Sequence, residues 1–244
     1  MLNILSLEIY IFHMQFKTNL IKGKLVKRYK RFLADVVLND GKQVTVHCPN
    51  PGSMMNLTTE GAVVWLEPND DPKKKLKYGW RLVESNNQAI CVDTTVANLV
   101  VREALEKKEI SQLNYQSLKP EIKYSNNSRV DFLLSSPNQH TYLEVKSVTL
   151  VREKGIAEFP DSITKRGSKH LEDLSKMATS GHKAVLLFLC MRSDVDRVRI
   201  AADLDSIYYA NIKAAVKSGI QVICYDSQVT KFGVSLGKPI EFEI

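Results

Sequence analysis

Three residues in the second half of the chain carry chemistry by type and spacing: Asp131 in SRVDFLL, and Glu144 and Lys146 in TYLEVKSVT. Both segments are short apolar runs of strand type. Alternation puts Asp131 on the face opposite Val130, Phe132 and Leu134, and it puts Tyr142, Glu144, Lys146 and Val148 on one face of the second run. SSPNQH between them is a turn, so the spacing predicts a hairpin with Asp131 beside Glu144. Two carboxylates and a lysine on one sheet face suit Mg²⁺ or Mn²⁺, which combine carboxylates with water and substrate phosphate oxygens. The carbonyl of Val145 is a further candidate ligand. Such a cation acidifies a bound water. Lys146 can orient or deprotonate that water and offset growing negative charge. The plainer alternative is a solvated strand face, since an isolated D…ExK recurs by chance.

A helix is expected from Val96 to about Lys107, capped by Thr94 or Thr95. At 100° per residue Val96, Leu99 and Val100 form its apolar stripe and Glu103 falls in the middle. A buried acid is costly unless partnered, so Glu103 is expected to point inward and support the carboxylate site. A second helix, from about Thr164 to Thr179, carries Arg166, Lys169 and His170 on its first turns. Cations there oppose the helix dipole, which points to a phosphate nearby, with His170 as proton carrier; pairing with Asp161 is the structural alternative. In the first half, Arg28, Tyr29, Lys30 and Arg31 lie within KRYKRF, where cations surround aromatics as on a backbone-tracking nucleic-acid surface. A solvated barrel edge explains them equally well.

The elements around these residues fall into two groups. From Phe16 to about Cys91 the chain alternates short β runs with turn signals, Asp40-Gly41 among them. Five or six strands in that length fit a small barrel of the OB type. From about Thr94 the order becomes helix, three strands, helix, strand, helix, strand, which implies an α/β sandwich with a mixed sheet. The expected division is 1–13 as an upstream extension, 14–94 as the barrel and 95–244 as the sandwich. The loop Pro49-Asn50-Pro51-Gly52 reads as a rigid turn.

Composition sets the outer limits. With 44% hydrophobic and 25% charged residues in 244, the chain is an ordinary globular one. Its net charge of +7 favours anionic partners, and residues 14–95 hold 13 Lys and Arg against 8 Asp and Glu. Four scattered cysteines with no CxxC pair argue for reduced thiols and a cytoplasmic protein. No segment approaches the roughly 20 apolar residues that span a bilayer.

The fragments KRYKRFLADV, TVHCPNPGSM, NSRVDFLL, YLEVKSVTL and FPDSITKRGSKHL closely resemble the bacterial sugar fermentation stimulation protein A family, and the likeness runs from Met14 onward. The resemblance implies an OB-like domain followed by a PD-(D/E)xK nuclease-like domain, with Glu103, Asp131, Glu144 and Lys146 at the nuclease positions. It also implies sequence-independent binding of DNA, with RNA left open, and a link to maltose metabolism. Two functions follow as expectations: hydrolysis of phosphodiester bonds with a divalent metal, or a non-catalytic DNA-binding regulator. Resemblance to a nuclease fold does not by itself establish turnover.

Overall fold

Alternating apolar residues build a closed barrel in the first third of the computed structural model, which describes residues 14–124 and 128–244. The extension expected over residues 1–13 lies outside the described residues. β1 (Met14–Gln15) leaves the barrel and pairs with the last strand of the chain. The barrel comprises β2 (Ile21–Tyr29), β3 (Leu33–Leu38), β4 (Gln43–His47), β5 (Val63–Pro68) and β6 (Tyr78–Ser85), in the order β4-β3-β2-β5-β6. A parallel bridge from His47 to Gly79 closes β4 onto β6, and β7 (Gln88–Cys91) extends β6. This is a five-stranded OB barrel, with Leu25, Val36, Val46, Val64, Leu66 and Trp80 filling it. Gly23 is required for closure: a Cβ there would lie 2.5 Å from the Val36 side chain and 3.0 Å from the Val37 carbonyl.

KRYKRF leads into a strand. It is the end of β2 and the turn into β3, and Lys30 (φ 47°) and Arg31 (φ 61°) both adopt the left-handed conformation. That costs roughly 1–2 kcal/mol per residue. The Arg31 guanidinium, 3.1 Å from the Pro51 carbonyl, anchors the turn.

The second half begins with α1 (Thr94–Glu106), capped by Asp93 rather than by Thr94 or Thr95. Asp93 is fully buried, and its Oδ1 accepts the Thr95 N–H at 2.9 Å and the Thr95 hydroxyl at 2.7 Å. Its other oxygen pairs with Arg81 of β6, which also pairs with Glu67 of β5 at 2.7 Å. Asp93 wins over the threonines because only its charge serves the helix and the barrel at once.

There follow β8 (Ser117–Lys123), β9 (Arg129–Ser136), β10 (Gln139–Val148), β11 (Leu150–Glu153), β12 (Gly155–Phe159) and α2 (Lys165–Thr179). The chain ends with β13 (Lys183–Cys190), β14 (Val195–Ile200), α3 (Ser206–Lys217), β15 (Gln221–Val229) and β16 (Gly233–Glu243). The mixed sheet runs β11-β12-β14-β16-β15-β13-β10-β9-β8. β10, β13 and β15 are parallel neighbours, and β9 and β8 continue antiparallel. α1 covers one face over Leu143, Val145, Leu187 and Leu189; α2 and α3 cover the other over Leu186, Phe188 and Cys190. Burial of each such side chain contributes about 1.5–3 kcal/mol.

Four strands, β11, β12, β14 and β16, were not expected from the sequence. Their charged residues read as loop until the pairing is known: Arg152 meets Glu158 and Asp203 at 2.6 Å, and Arg199 meets Glu158 at 3.1 Å. All four cysteines are buried and unbridged. No helix among the described residues is long and apolar enough to cross a membrane.

Candidate active site

β9 and β10 pair in register from Ser136–Gln139 to Phe132–Leu143. At the next rung the ladder opens, and the Asp131 carboxylate takes the place of a backbone partner. Its Oδ2 accepts the Val145 N–H at 2.7 Å, while its Oδ1 accepts the Asn98 amide of α1 at 2.8 Å. Glu144, 3% exposed, stands on the same side of β10 as Lys146. Its Oε1 accepts Lys146 Nζ at 2.7 Å and also meets His170 Nδ1 from α2. His170 Nε2 accepts Arg166 Nε at 3.2 Å, which makes Nδ1 the protonated nitrogen facing Glu144. Glu144 Oε2 is buried and has no hydrogen-bond partner.

The two carboxyls are displaced in opposite directions. Burial, then the Glu144 charge, raises Asp131 above its ordinary 3.8. Burial also pushes Glu144 up, but the Lys146 charge and the His170 contacts outweigh it and hold Glu144 below 4.5. Glu144 therefore contributes stability that is present above its ordinary value and lost as pH falls through its lowered one. Asp131 does the reverse: stability falls as pH rises through its raised value, because folding opposes its ionisation. Asp131→Asn should thus raise the melting temperature of metal-free protein at neutral pH, with the gain vanishing in acid. Thermal melts in chelator across that range check it; an equal or lower neutral value for the variant would contradict it.

The structure brings Asp131, Glu144, Lys146 and His170 together, and it does not bring Glu103 to them. Glu103 pairs with Lys107 one turn on, at 2.8 Å, and lines a cavity with Ser235, Leu236 and Gly237 of β16. β16 is four strands from β9 in the sheet. The polar residue that α1 delivers is Asn98. Val145 contributes its N–H to Asp131.

Lys169 is engaged by Asp173 at 2.6 Å and by Ser128 at 3.0 Å. Asp161, the structural alternative as a partner for the helix cations, instead accepts the Met54 N–H at 2.9 Å and crowds Gly52, so it ties the segment leading into α2 to the barrel loop. Arg28 holds that loop from the other side, donating to the carbonyls of Asn50 and Gly52 at 2.8 Å and Ser53 at 3.1 Å. Its guanidinium is thereby committed to the fold. Tyr29 donates to Asp35 at 3.0 Å, and Lys30 is exposed.

Sequence reasoning missed Asn98, Asp173, Tyr124 and Tyr208. The Tyr208 hydroxyl is buried and unpartnered, and burial together with the Glu144 charge pushes it up. Only the Asp173–Lys169 spacing of four residues left a trace in the sequence. Among the described residues no group of three or more His, Cys, Asp or Glu side chains is placed to hold a metal ion. Two carboxylates with one orphaned buried oxygen nevertheless suit a single hard cation that keeps most of its waters. Beside this cluster a cleft of about 420 Å³ opens between the barrel loop and α2, lined by Arg31, Asn50, Ser147, Thr164, Lys165 and Arg166 among others.

Residues 26–92 match the family model of the SfsA N-terminal OB domain, and residues 95–233 match that of the sugar fermentation stimulation protein RE domain. The sugar fermentation stimulation protein homolog of Ruegeria pomeroyi is 51% identical over 91% of this chain and 98% of that protein. The homolog of Agrobacterium fabrum is 41% identical over 94% and 97%. Pyrococcus furiosus SfsA, solved in complex with Ca²⁺, superimposes with a TM-score of 0.86 over 96% of this chain and 100% of that one. At 20% identity that likeness is one of fold.

Proposed function

The chain belongs to the sugar fermentation stimulation protein family, and from that premise and the site geometry we propose that it is a divalent-metal phosphodiesterase acting on DNA. The observation that carries the reading is the pairing of a buried, partnerless Glu144 Oε2 with an Asp131 carboxyl whose protonation the fold favours. A cation relieves both. Asp131 and Glu144 would hold Mg²⁺ or Mn²⁺, and the archaeal relative's complex with Ca²⁺, another oxygen-seeking cation, is in keeping with such a site. Bound there, the metal lowers the pKa of a coordinated water and offsets charge on the phosphate.

The protein's own groups do the rest. Lys146 Nζ, held by Glu144 Oε1 at 2.7 Å, places a positive charge where negative charge grows during attack. His170 directs its Nδ1 proton at Glu144, and Arg166 fixes its ring by donating to Nε2 at 3.2 Å, so the imidazole orients the Glu144 carboxylate. Arg31, Lys165 and Arg166 line the adjoining cleft with positive charge suited to a neighbouring phosphate.

Isothermal titration with Mn²⁺ tests the metal: wild type should bind. Asp131→Ala should lose at least tenfold in affinity, and equal binding by both proteins would exclude the site. One observation favours a second reading, that of a non-catalytic DNA binder. Lys146 and His170 both close on Glu144 Oε1, so the cluster satisfies much of its own charge. Metal binding without cleavage of single-stranded, duplex or branched DNA would select it.

A further inference from the structure

Four rings form an unbroken row leading away from the Glu144–Lys146 cluster. Tyr142, two residues before Glu144 on the same face of β10, lies 5.5 Å from Tyr124 and 5.4 Å from His182 between ring centres. His182 lies 5.8 Å from His140. Neighbouring rings are tilted by 41–58°, and none of the four is fully buried. His140 Nδ1 meets the Ser135 hydroxyl at 2.9 Å, Tyr142 packs at the margin of the core under α2 and α3, and the backbone N–H of His182 donates to the Met177 carbonyl at 3.1 Å. At the near end the Tyr124 hydroxyl is pushed up by burial and then by Glu144, Asp173 and Asp131, so that ring lies in the field of the site.

Lysines flank the row. Lys123 precedes Tyr124 in the chain, Lys183 follows His182 at the start of β13 on the sheet face opposite Tyr142, and Lys176 of α2, 67% exposed, pairs with Asp173 at 3.0 Å. Rings partly open to solvent with exposed cations nearby are the two components of a surface that holds unpaired bases and tracks the backbone. A duplex hides its base faces within the stack and offers such rings nothing to stack on.

We propose that Tyr124, Tyr142, His182 and His140 form a stacking track for the unpaired bases of a DNA strand, leading it to the Glu144–Lys146 cluster. This rests on the nucleic-acid reading of the site but not on turnover. It is tested by fluorescence anisotropy of a labelled oligothymidylate in chelator, where no metal-dependent cleavage occurs. His182→Ala and Tyr142→Ala should each weaken binding about tenfold, the loss of one base stacked on a ring. Tyr142→Phe and His182→Phe, which keep a ring, should bind within twofold of wild type. Duplex of the same sequence should bind all variants alike.

The track is excluded by wild-type failure to bind oligothymidylate, alanine variants within twofold of wild type, phenylalanine variants as weak as the alanine ones, or equal losses on duplex. Tighter binding of oligouridylate than of oligothymidylate would exclude DNA as the strand. Ring-dependent binding by a protein that cleaves nothing would remove the phosphodiesterase and leave the track. Cleavage with ring-independent binding would do the opposite.

Discussion

Lys146→Ala should slow metal-dependent cleavage of DNA by about 10²- to 10³-fold, the usual cost of removing one preorganised charge from a transition-state site. The same truncation should leave Mn²⁺ binding nearly intact at alkaline pH. Lys146 is the strongest influence holding Glu144 below its ordinary value against burial, so its removal lets that carboxyl rise. A proton then competes with the metal over a wider range, and Mn²⁺ affinity should fall more steeply toward acid in the variant. Cleavage rates at saturating Mn²⁺, together with titrations at two pH values, separate the two effects. A variant that cleaves at the wild-type rate would show that Lys146 only neutralises Glu144.

Asp93→Ala should destabilise the protein by about 3–5 kcal/mol, because it strands Arg81 beside Glu67 and removes the cap of α1 in one step. Asp93→Asn keeps an oxygen for the Thr95 N–H and should lose less by about 1 kcal/mol, the worth of the cap. Both tryptophans, Trp65 and Trp80, lie in the barrel, so their fluorescence follows that half, whereas far-ultraviolet ellipticity follows the helices of the other. Denaturant curves from the two probes should coincide in wild type and separate in Asp93→Ala. Coincident curves at unchanged midpoint would mean that the contacts around Asp93 contribute little to the coupling.

The hairpin that carries Asp131, Glu144 and Lys146 was legible because strand periodicity is strict. Once β9 and β10 are recognised, the face of each residue follows without tertiary information. The break in the ladder at Asp131 was not legible, since a side chain standing in for a backbone acceptor leaves no pattern. Glu103 was misplaced for a different reason. An apolar stripe through Val96, Leu99 and Val100 centres on Glu103, but Leu99 is 51% exposed. The buried face actually runs through Ala97, Val101, Ala104 and Leu105 as well, which moves its centre and leaves Glu103 at the margin. Small residues such as Ala97 and Ala104 weigh little in an apolar pattern, yet they are where a helix lies closest to a sheet. Arg28 reads as a surface cation by type, and only the folded loop reveals three carbonyls waiting for it.

The opened rung at Asp131 also gives the site a built-in spectroscopic probe. One backbone amide, that of Val145, shares its proton with a titrating carboxylate oxygen rather than with a neighbouring strand. Its nitrogen and proton resonances should move with the charge on Asp131 while the amides of Leu143 and Thr141, held in the regular ladder, stay put. A single cross-peak in a nitrogen–proton correlation spectrum therefore follows the protonation of this carboxyl, and its displacement by a cation, residue by residue and without a substrate.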